Sequence, residues 1–538
     1  MLPQLPPSKA VRRTVLKKLL PAALFCLAVA AISCSSPRTD LRTVLPGDAL
    51  VYLEARDLQD VVTALTESEA FRNSGASPVD SDVLEGISLA VAVTGFETSE
   101  QRLNEEASVL NFQPRFVAAA ETHLWNFQAL AFTEHSLGSF INNIYGGEVL
   151  LETSDRHDGK YFVWTAGDGR RAFAYVEGSL VFFGNDDTAL DRALQAKRGE
   201  IEPIARNPKI TDGDRLAFAY VSPDGLAQMS NIAAVSFAKN SADAPEAQGI
   251  VARILPELLR NSLREITWTA TRSEQGIEDR YDVTMNPDLA AVFAETLAPA
   301  GRDTPAAEPP IPPGAASVTR YSLRDPRVAW RSVVLAAERA ADPAAGALIS
   351  AVASGIFEPY GIDDPEAYLA AAGPVLHTAS FGPDGDRVLA IASVKDEAAV
   401  RSALPQELGL GRPPTTADAA RLWRSEDGDI AAAFLNDLLI TGDADSVAAA
   451  AASANTNDIP GPFAAQFNGS NAPAATVGTE FGTADKVVEA VTGTAPAAPL
   501  PPTHYFTETR FNTAGFERRT VSSFGLFGWI VSNFASEN

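Results

Sequence analysis

Apolar and polar positions along this chain fall into two recurring patterns. Short runs such as Ser88-Leu-Ala-Val-Ala-Val93 and Val388-Leu-Ala-Ile-Ala-Ser393 read as strands. Ala/Leu-rich runs with apolar residues three or four apart read as helices, near Leu58 to Glu67, Thr188 to Lys197, Ala247 to Leu263, Arg327 to Ala341 and Ser446 to Ala454. Gly-Asx clusters separate the two kinds. Asp168-Gly169 and Asp427-Gly428 sit between paired apolar runs, where Asp-Gly favours a hairpin because it tolerates positive φ. Asp186, Asp187, Asp443 and Asp445 precede helical runs, where a carboxylate accepts free backbone N–H groups. The dense oxygen spacing of a calcium loop is missing there.

The patterns repeat once. Tyr161-Phe-Val-Trp164 through Asp168-Gly169 to Leu180 and Gly184 parallels Leu422-Trp423 through Asp427-Gly428 to Leu438 and Gly442. Upstream, Pro46-Gly47-Asp48-Ala49 and Arg56-Asp57 parallel Pro313-Gly314-Ala315-Ala316 and Arg324-Asp325. Downstream, Gly276-Ile-Glu278-Asp-Arg280 parallels Gly515-Phe-Glu517-Arg-Arg519. The spacing of equivalents drops from 259 residues (Trp164 to Trp423) to 239 (Gly276 to Gly515), so the second copy is shorter. The helix near Ala247 to Leu263 is the expected missing piece, because Thr494 to Thr503 offers an Ala/Pro-rich connector instead.

Proline-rich residues 301–312 make a stiff linker between the copies. The expected division is a signal segment at 1–33, a tether at 34–44, a first repeat at 45–300 and a second at 313–538. Hairpins imply antiparallel pairing, so the expected class is α+β: two similar lobes, each an antiparallel sheet with helices on one face. The opening Leu45-Pro46-Gly47-Asp48-Ala49, with its strand, Arg56-Asp57 and helix, resembles a family of exported bacterial proteins with a duplicated α+β domain. That family has no established biochemical activity, so the resemblance implies an envelope role without catalysis. The second copy departs from the opening pattern at Ala315.

The N-terminus adds an address. Lys9, Arg12, Arg13, Lys17 and Lys18 precede an apolar run from Leu19 to Ile32, with no acidic residue before Cys34. That is the layout of an export signal. The run is shorter than the ~20 residues that cross a bilayer. Ala31-Ile32-Ser33-Cys34 resembles a bacterial lipobox, which implies cleavage between Ser33 and Cys34 and a lipid on the Cys34 thiol. Arg12-Arg13 resembles the twin-arginine export motif, although Val15 stands where an aromatic residue is usual. A general secretory n-region explains the two arginines equally well. Ser35 after the cysteine, in place of aspartate, favours the outer membrane, facing the periplasm or the cell exterior.

Composition narrows the function classes. The signal holds five of the 43 basic residues, leaving 38 against 68 acidic ones, a net charge of −30. Phosphates repel such a chain, so nucleic acid is not an expected partner. Anionic lipid heads repel it too, which leaves the lipid on Cys34 as the expected membrane attachment. The two cysteines are Cys26 in the signal and Cys34, so the mature fold has no thiol for a disulfide or a metal. His123, His135, His157, His377 and His504 show no ligand spacing, and neither a serine-nucleophile elbow nor a phosphate loop occurs. No cofactor is implied. Aromatic clusters at Phe112, Phe116, His123, Trp125 and Phe127, with Phe132, and in the tail from Phe524 to Phe534, read as core or as a surface for a partner, a lipid or the membrane.

The leading expectation is a noncatalytic, membrane-tethered envelope lipoprotein that binds or scaffolds another envelope component. The alternative is a carrier or sensor of an apolar ligand in the periplasm, which requires a cavity lined by aliphatic and aromatic groups. A hydrolase, the third possibility, requires histidines and carboxylates gathered in one cleft.

Overall fold

The computed structural model describes residues 39–76, 81–102, 108–147, 149–240, 256–301, 309–341, 346, 349, 353–417, 420–453 and 457–535. From Leu41 onward these form one compact unit. The first part of the chain runs β1 (Val51–Ala55), α1 (Leu58–Thr66), α2 (Glu69–Asn73), β2 (Ser88–Arg102), β3 (Ser108–Glu121), α3 (Asn126–Ala131) and α4 (Gly138–Tyr145). It continues through β4 (Leu150–Arg156), β5 (Gly159–Thr165), β6 (Arg171–Glu177), β7 (Leu180–Gly184) and α5 (Asp187–Lys197). β8 (Ala217–Val221), α6 (Pro223–Asn240), β9 (Leu263–Ser273), β10 (Gly276–Met285) and α7 (Pro287–Thr296) complete it.

The second part opens with β11 (Ala315–Ser322), α8 (Pro326–Ala340), α9 (Pro365–Ala371), β12 (Ala372–Phe381), β13 (Arg387–Val394) and α10 (Glu397–Ser402). β14 (Thr415–Ala417), β15 (Ala420–Arg424), β16 (Ile430–Leu435), β17 (Leu438–Asp443), α11 (Ala444–Ala452) and α12 (Ala464–Gly469) follow. The chain closes with β18 (Ala474–Glu480), α13 (Thr483–Thr492), β19 (Thr503–Asn512), β20 (Gly515–Ser522) and α14 (Gly525–Ala535).

The capping carboxylates take the places their sequence suggests. Asp57 accepts from Gln59 N, Asp186 from Ala189 N, Asp325 from Val328 N and Asp443 from Ser446 N. The expected helix near Ala247 to Leu263 falls partly outside the described residues, and Leu263 itself opens β9. The Asp-Gly turns are wider than two residues. Residues 166–170 and 425–429 form the loops, with Gly169 and Gly428 at positive φ and each aspartate accepting an N–H two residues on.

All twenty strands among the described residues belong to a single antiparallel sheet, in place of the expected sheet per lobe. Its order is β4-β5-β6-β7-β3-β2-β1-β8-β9-β10-β20-β19-β18-β11-β12-β13-β17-β16-β15-β14. Read outward from the β10–β20 pair, both halves run through ten strands in the same relative order. That central pair aligns Ile277 with Ser522 through Thr284 with Gly515. Glycine is required at matching places along it. A Cβ on Gly276 would lie 2.3 Å from the Ser522 carbonyl oxygen, and one on Gly515 would lie 1.9 Å from that of Val283. The ion pairs across the join are also reciprocal: Arg280 meets Glu517 at 2.6 Å, and Arg519 meets Glu278 at 2.7 Å.

Helices cover both faces of the sheet, where one face was expected. β5 and β6 place Tyr161, Val163, Phe173 and Tyr175 against α5, and Phe162, Trp164, Ala172 and Ala174 against α3 and α4. β15 to β17 place Leu422, Ala431, Ala433 and Ile440 against α11, and Trp423, Ala432, Phe434 and Leu439 against α9 and α10. This explains why these strands read as nearly continuous apolar runs, since alternate side chains are buried on opposite faces. Two helices also cross the join. α7 follows β10 but lies on β19 and β20, with Phe293 edge-on to Phe511 at 6.1 Å. α14 follows β20 but lies on β10, with Phe527 edge-on to Trp268 at 5.5 Å.

Candidate functional site

An apolar cleft opens between the sheet and the helices of the second half. Two helix starts frame it. Pro326 and Pro365 occupy first-turn positions, where proline's missing N–H costs nothing, behind the capping residues Asp325 and Asp364. α8 contributes Pro326, Ala329, Trp330 and Val333 as one wall. The turn at 356–362 contributes Ile356, Phe357, Tyr360 and Ile362 as the other, and Trp330 meets Phe357 edge-on at 4.9 Å. Leu376, Thr378 and Ala390 of β12 and β13 form the floor, and Tyr368 and Leu369 of α9 close one end. Leu297, just past α7, reaches in from the first half of the sequence. The enclosed space is about 300 Å³, at the lower end of the range for small-molecule sites.

The lining carries no carboxylate, ammonium or guanidinium group. In a chain with 68 acidic residues that exclusion defines the chemistry of the cleft. Its polar groups are phenols and one hydroxyl. Tyr321, Tyr360 and Tyr368 supply the phenols and Thr378 the hydroxyl. Tyr368 is 1% exposed, and its Oη has no hydrogen-bond partner. Desolvation raises the phenol pKa at all three tyrosines, so they stay neutral.

His377 also borders the cleft, but its ring turns to the other side of the sheet. Alternation along β12 separates it from Leu376 and Thr378, and its ring faces Phe467 at 6.5 Å. It stands opposite Arg320 in the strand register, and its pKa falls to about 3, through burial first and the Arg320 charge second. The imidazole is therefore neutral at physiological pH.

The other histidines are scattered. His123 and His157 occupy exposed positive-φ positions, His135 is exposed, and His504 lies near Thr479 Oγ1 at 3.3 Å. Among the described residues no group of three or more His, Cys, Asp or Glu side chains is placed to hold a metal ion. No described helix is long and apolar enough to cross a membrane. Arg12, Arg13, Ser33 and Cys34 lie outside the described residues. In the tail, Phe524 and Phe527 are buried, and Leu526 N donates to Asp279 Oδ2 at 2.8 Å. Asp279 also accepts from Trp268 Nε1, yet burial pushes its pKa up to about 6.

Sequence reasoning found α8 but missed the cleft beneath it. The available signal was Trp330 and Val333, three positions apart on one helix face, together with Phe357 and Tyr360 in the following turn.

No protein-family model and no curated protein matches this chain. A solved structure, crystal form IV of TP0453, is similar at 10% identity over 48% of this chain and 85% of that one. Its TM-score of 0.24 is too low for the likeness to carry an argument, so the family stays open and the site is read from its own geometry.

Proposed function

We propose that this protein is a lipid-anchored envelope lipoprotein that holds an uncharged apolar ligand in the cleft beneath α8. The observation that carries this reading is the cleft itself: about 300 Å³ of apolar and aromatic lining without one charged group. Such a site favours a hydrocarbon-like ligand, because burying an unpaired charge there costs far more than burying a methylene gains. The lipobox-like Ala31-Ile32-Ser33-Cys34 supports cleavage before Cys34 and a lipid on its thiol, and Ser35 after it supports delivery to the outer membrane. The same strand order in both halves, the reciprocal Arg280–Glu517 and Arg519–Glu278 pairs and the matched Gly276 and Gly515 support two copies of one α+β design. Self-complementary pairing of this kind is what a two-fold dimer interface displays.

Native mass spectra of the membrane-extracted protein, taken before and after denaturation, test the ligand reading. A neutral lipid-like molecule released on unfolding is expected. It should be absent from a variant carrying Val333→Asp and Ile356→Asp, two changes at the exposed rim that put charge into the mouth of the cleft. A protein that is empty when extracted would instead favour the scaffold reading. The anchor is tested separately, by loss of labelled fatty acid from Cys34→Ala.

A further inference from the structure

The segment between β3 and β4 presents an aromatic face that the sheet cannot cover. α3, a π-helical turn over Phe132–Leu137 and α4 run in succession here. Ala129, Thr133, Gly138 and Ile141 face inward. The five-residue step from Thr133 to Gly138 is what the wider π turn accommodates. Gly138 lies close over Trp164: a Cβ there would be 3.3 Å from the indole Nε1. With that face packed, the opposite one is left outside, and Trp125 (67% exposed), Phe127 (69%), Phe132, Phe140 and Ile144 project from it.

The charge of this segment singles out its occupant. From Thr122 to Gly147 the only acidic residue is Glu134, and there is no lysine or arginine. In a chain of net charge −25, that makes it a stretch which a lipid headgroup layer has little reason to repel. Tryptophan and phenylalanine on a helical face, with Asn126, Gln128, Asn142 and Asn143 among them, suit the boundary between headgroups and acyl chains. In the sequence the compact unit begins soon after the proposed anchor. Cys34 precedes Leu41 by seven residues, a reach of roughly 25 Å when extended.

We infer that the Trp125–Ile144 face lies in the surface of a lipid bilayer, as a second membrane contact beside the lipid on Cys34. It rests on the lipoprotein reading only for the nearness of a membrane, and not on the cleft.

Because Leu41 onward forms one compact unit, residues 35–538 can be tested without lipid or signal. The protein is floated with phosphatidylcholine vesicles, and its tryptophan emission is followed. Co-flotation with a blue shift is expected. A variant carrying Trp125→Ser, Phe127→Ser and Phe132→Ser should float at least about tenfold less, with an unchanged circular dichroism spectrum, since all three side chains are exposed. Trp529→Ser, exposed on α14, should float like the parent. Failure of the parent to float, or equal flotation of the triple variant, overturns the inference. So does a concentration-dependent dimer that the triple variant abolishes without any vesicle binding, which would assign the face to a second copy. Labelling at Cys34 is unaffected by these outcomes, so a failure here is distinguishable from a failure of the anchor.

Discussion

The strand pair β5–β6 and its counterpart β15–β16 carry one tryptophan each toward the same side, and the two are covered in opposite ways. Trp164 stacks on Phe162 at 5.8 Å beneath α3 and α4, whose outer surface is aromatic. Trp423 meets Phe434 edge-on at 5.8 Å beneath α10, whose outer surface is charged. Arg401 and Arg421 lie over the Trp423 ring, and both are held by Glu397 at 3.0 Å. Trp423 Nε1 also donates to the Arg412 carbonyl. α9 packs beside α10 in the second half and extends the cover. The buried side of each cover is dictated by strand alternation. Its outer side is free, and there the halves differ: an exposed aromatic face in the first, a charged cover in the second.

The largest expected effect tests whether the two tryptophans are equivalent. Trp164→Ala and Trp423→Ala should each destabilise by about 3–5 kcal/mol in urea melts. Trp423→Ala should sit at the upper end, since it also leaves the Arg412 carbonyl and two guanidinium groups without the indole. A small loss at either site would break the comparison.

The next prediction separates the halves by pH. Tyr52 and Ala92 face each other in the first half, where Arg320 and His377 do so in the second. Only the second half therefore buries a histidine at this place. Its folded pKa of about 3 lies below the ordinary 6.5, so between these values the unfolded chain binds the extra proton. The contribution of neutral His377 is full above pH 6.5 and is lost as pH falls, at up to about 1.4 kcal/mol per unit. Asp279 acts in the opposite sense. Its raised pKa of about 6 favours the fold below pH 3.8 and costs stability as pH rises through 6. His377→Phe should flatten the acid limb of stability against pH, and Asp279→Asn should flatten the rise of opposite sign. If the acid limb survives His377→Phe, the asymmetry lies elsewhere.

The smallest effect sharpens the likeness. Asp186→Ala and Asp443→Ala each remove a side-chain cap at the helix after β7 or β17, and each should cost about 1 kcal/mol. Equal losses support equivalent helices. Unequal ones point to the extra hydroxyl donated by Ser446 to Asp443 or to the Tyr161 hydroxyl at Asp187.

Local chemistry was legible throughout. Capping aspartates, hairpin partners and the amphipathic stripes of α1, α5, α8 and α11 follow from spacing alone, because each depends on residues a few positions apart. The covering of both sheet faces was also written in Ile430-Ala-Ala-Ala-Phe-Leu435, a continuous apolar run, though the hairpin pattern around it suggests one face. The cleft was not legible. It joins Leu297, α8, the turn at 356–362 and the floor of β12, and no periodicity links side chains that far apart.

The sequence by itself determined the elements, their α+β class and the pairing of neighbours in the chain, since turns, caps and apolar periods are local. Only the tertiary structure decided that β10 joins β20, that α7 and α14 cross to the opposite half, and that a neutral cleft opens beneath α8. Those outcomes rest on the edge-to-edge fit of strands more than two hundred residues apart, with glycine at each end of the join to let the backbones meet. A backbone edge offers the same N–H and C=O groups whatever its side chains, so its partner is chosen by how the assembled faces pack.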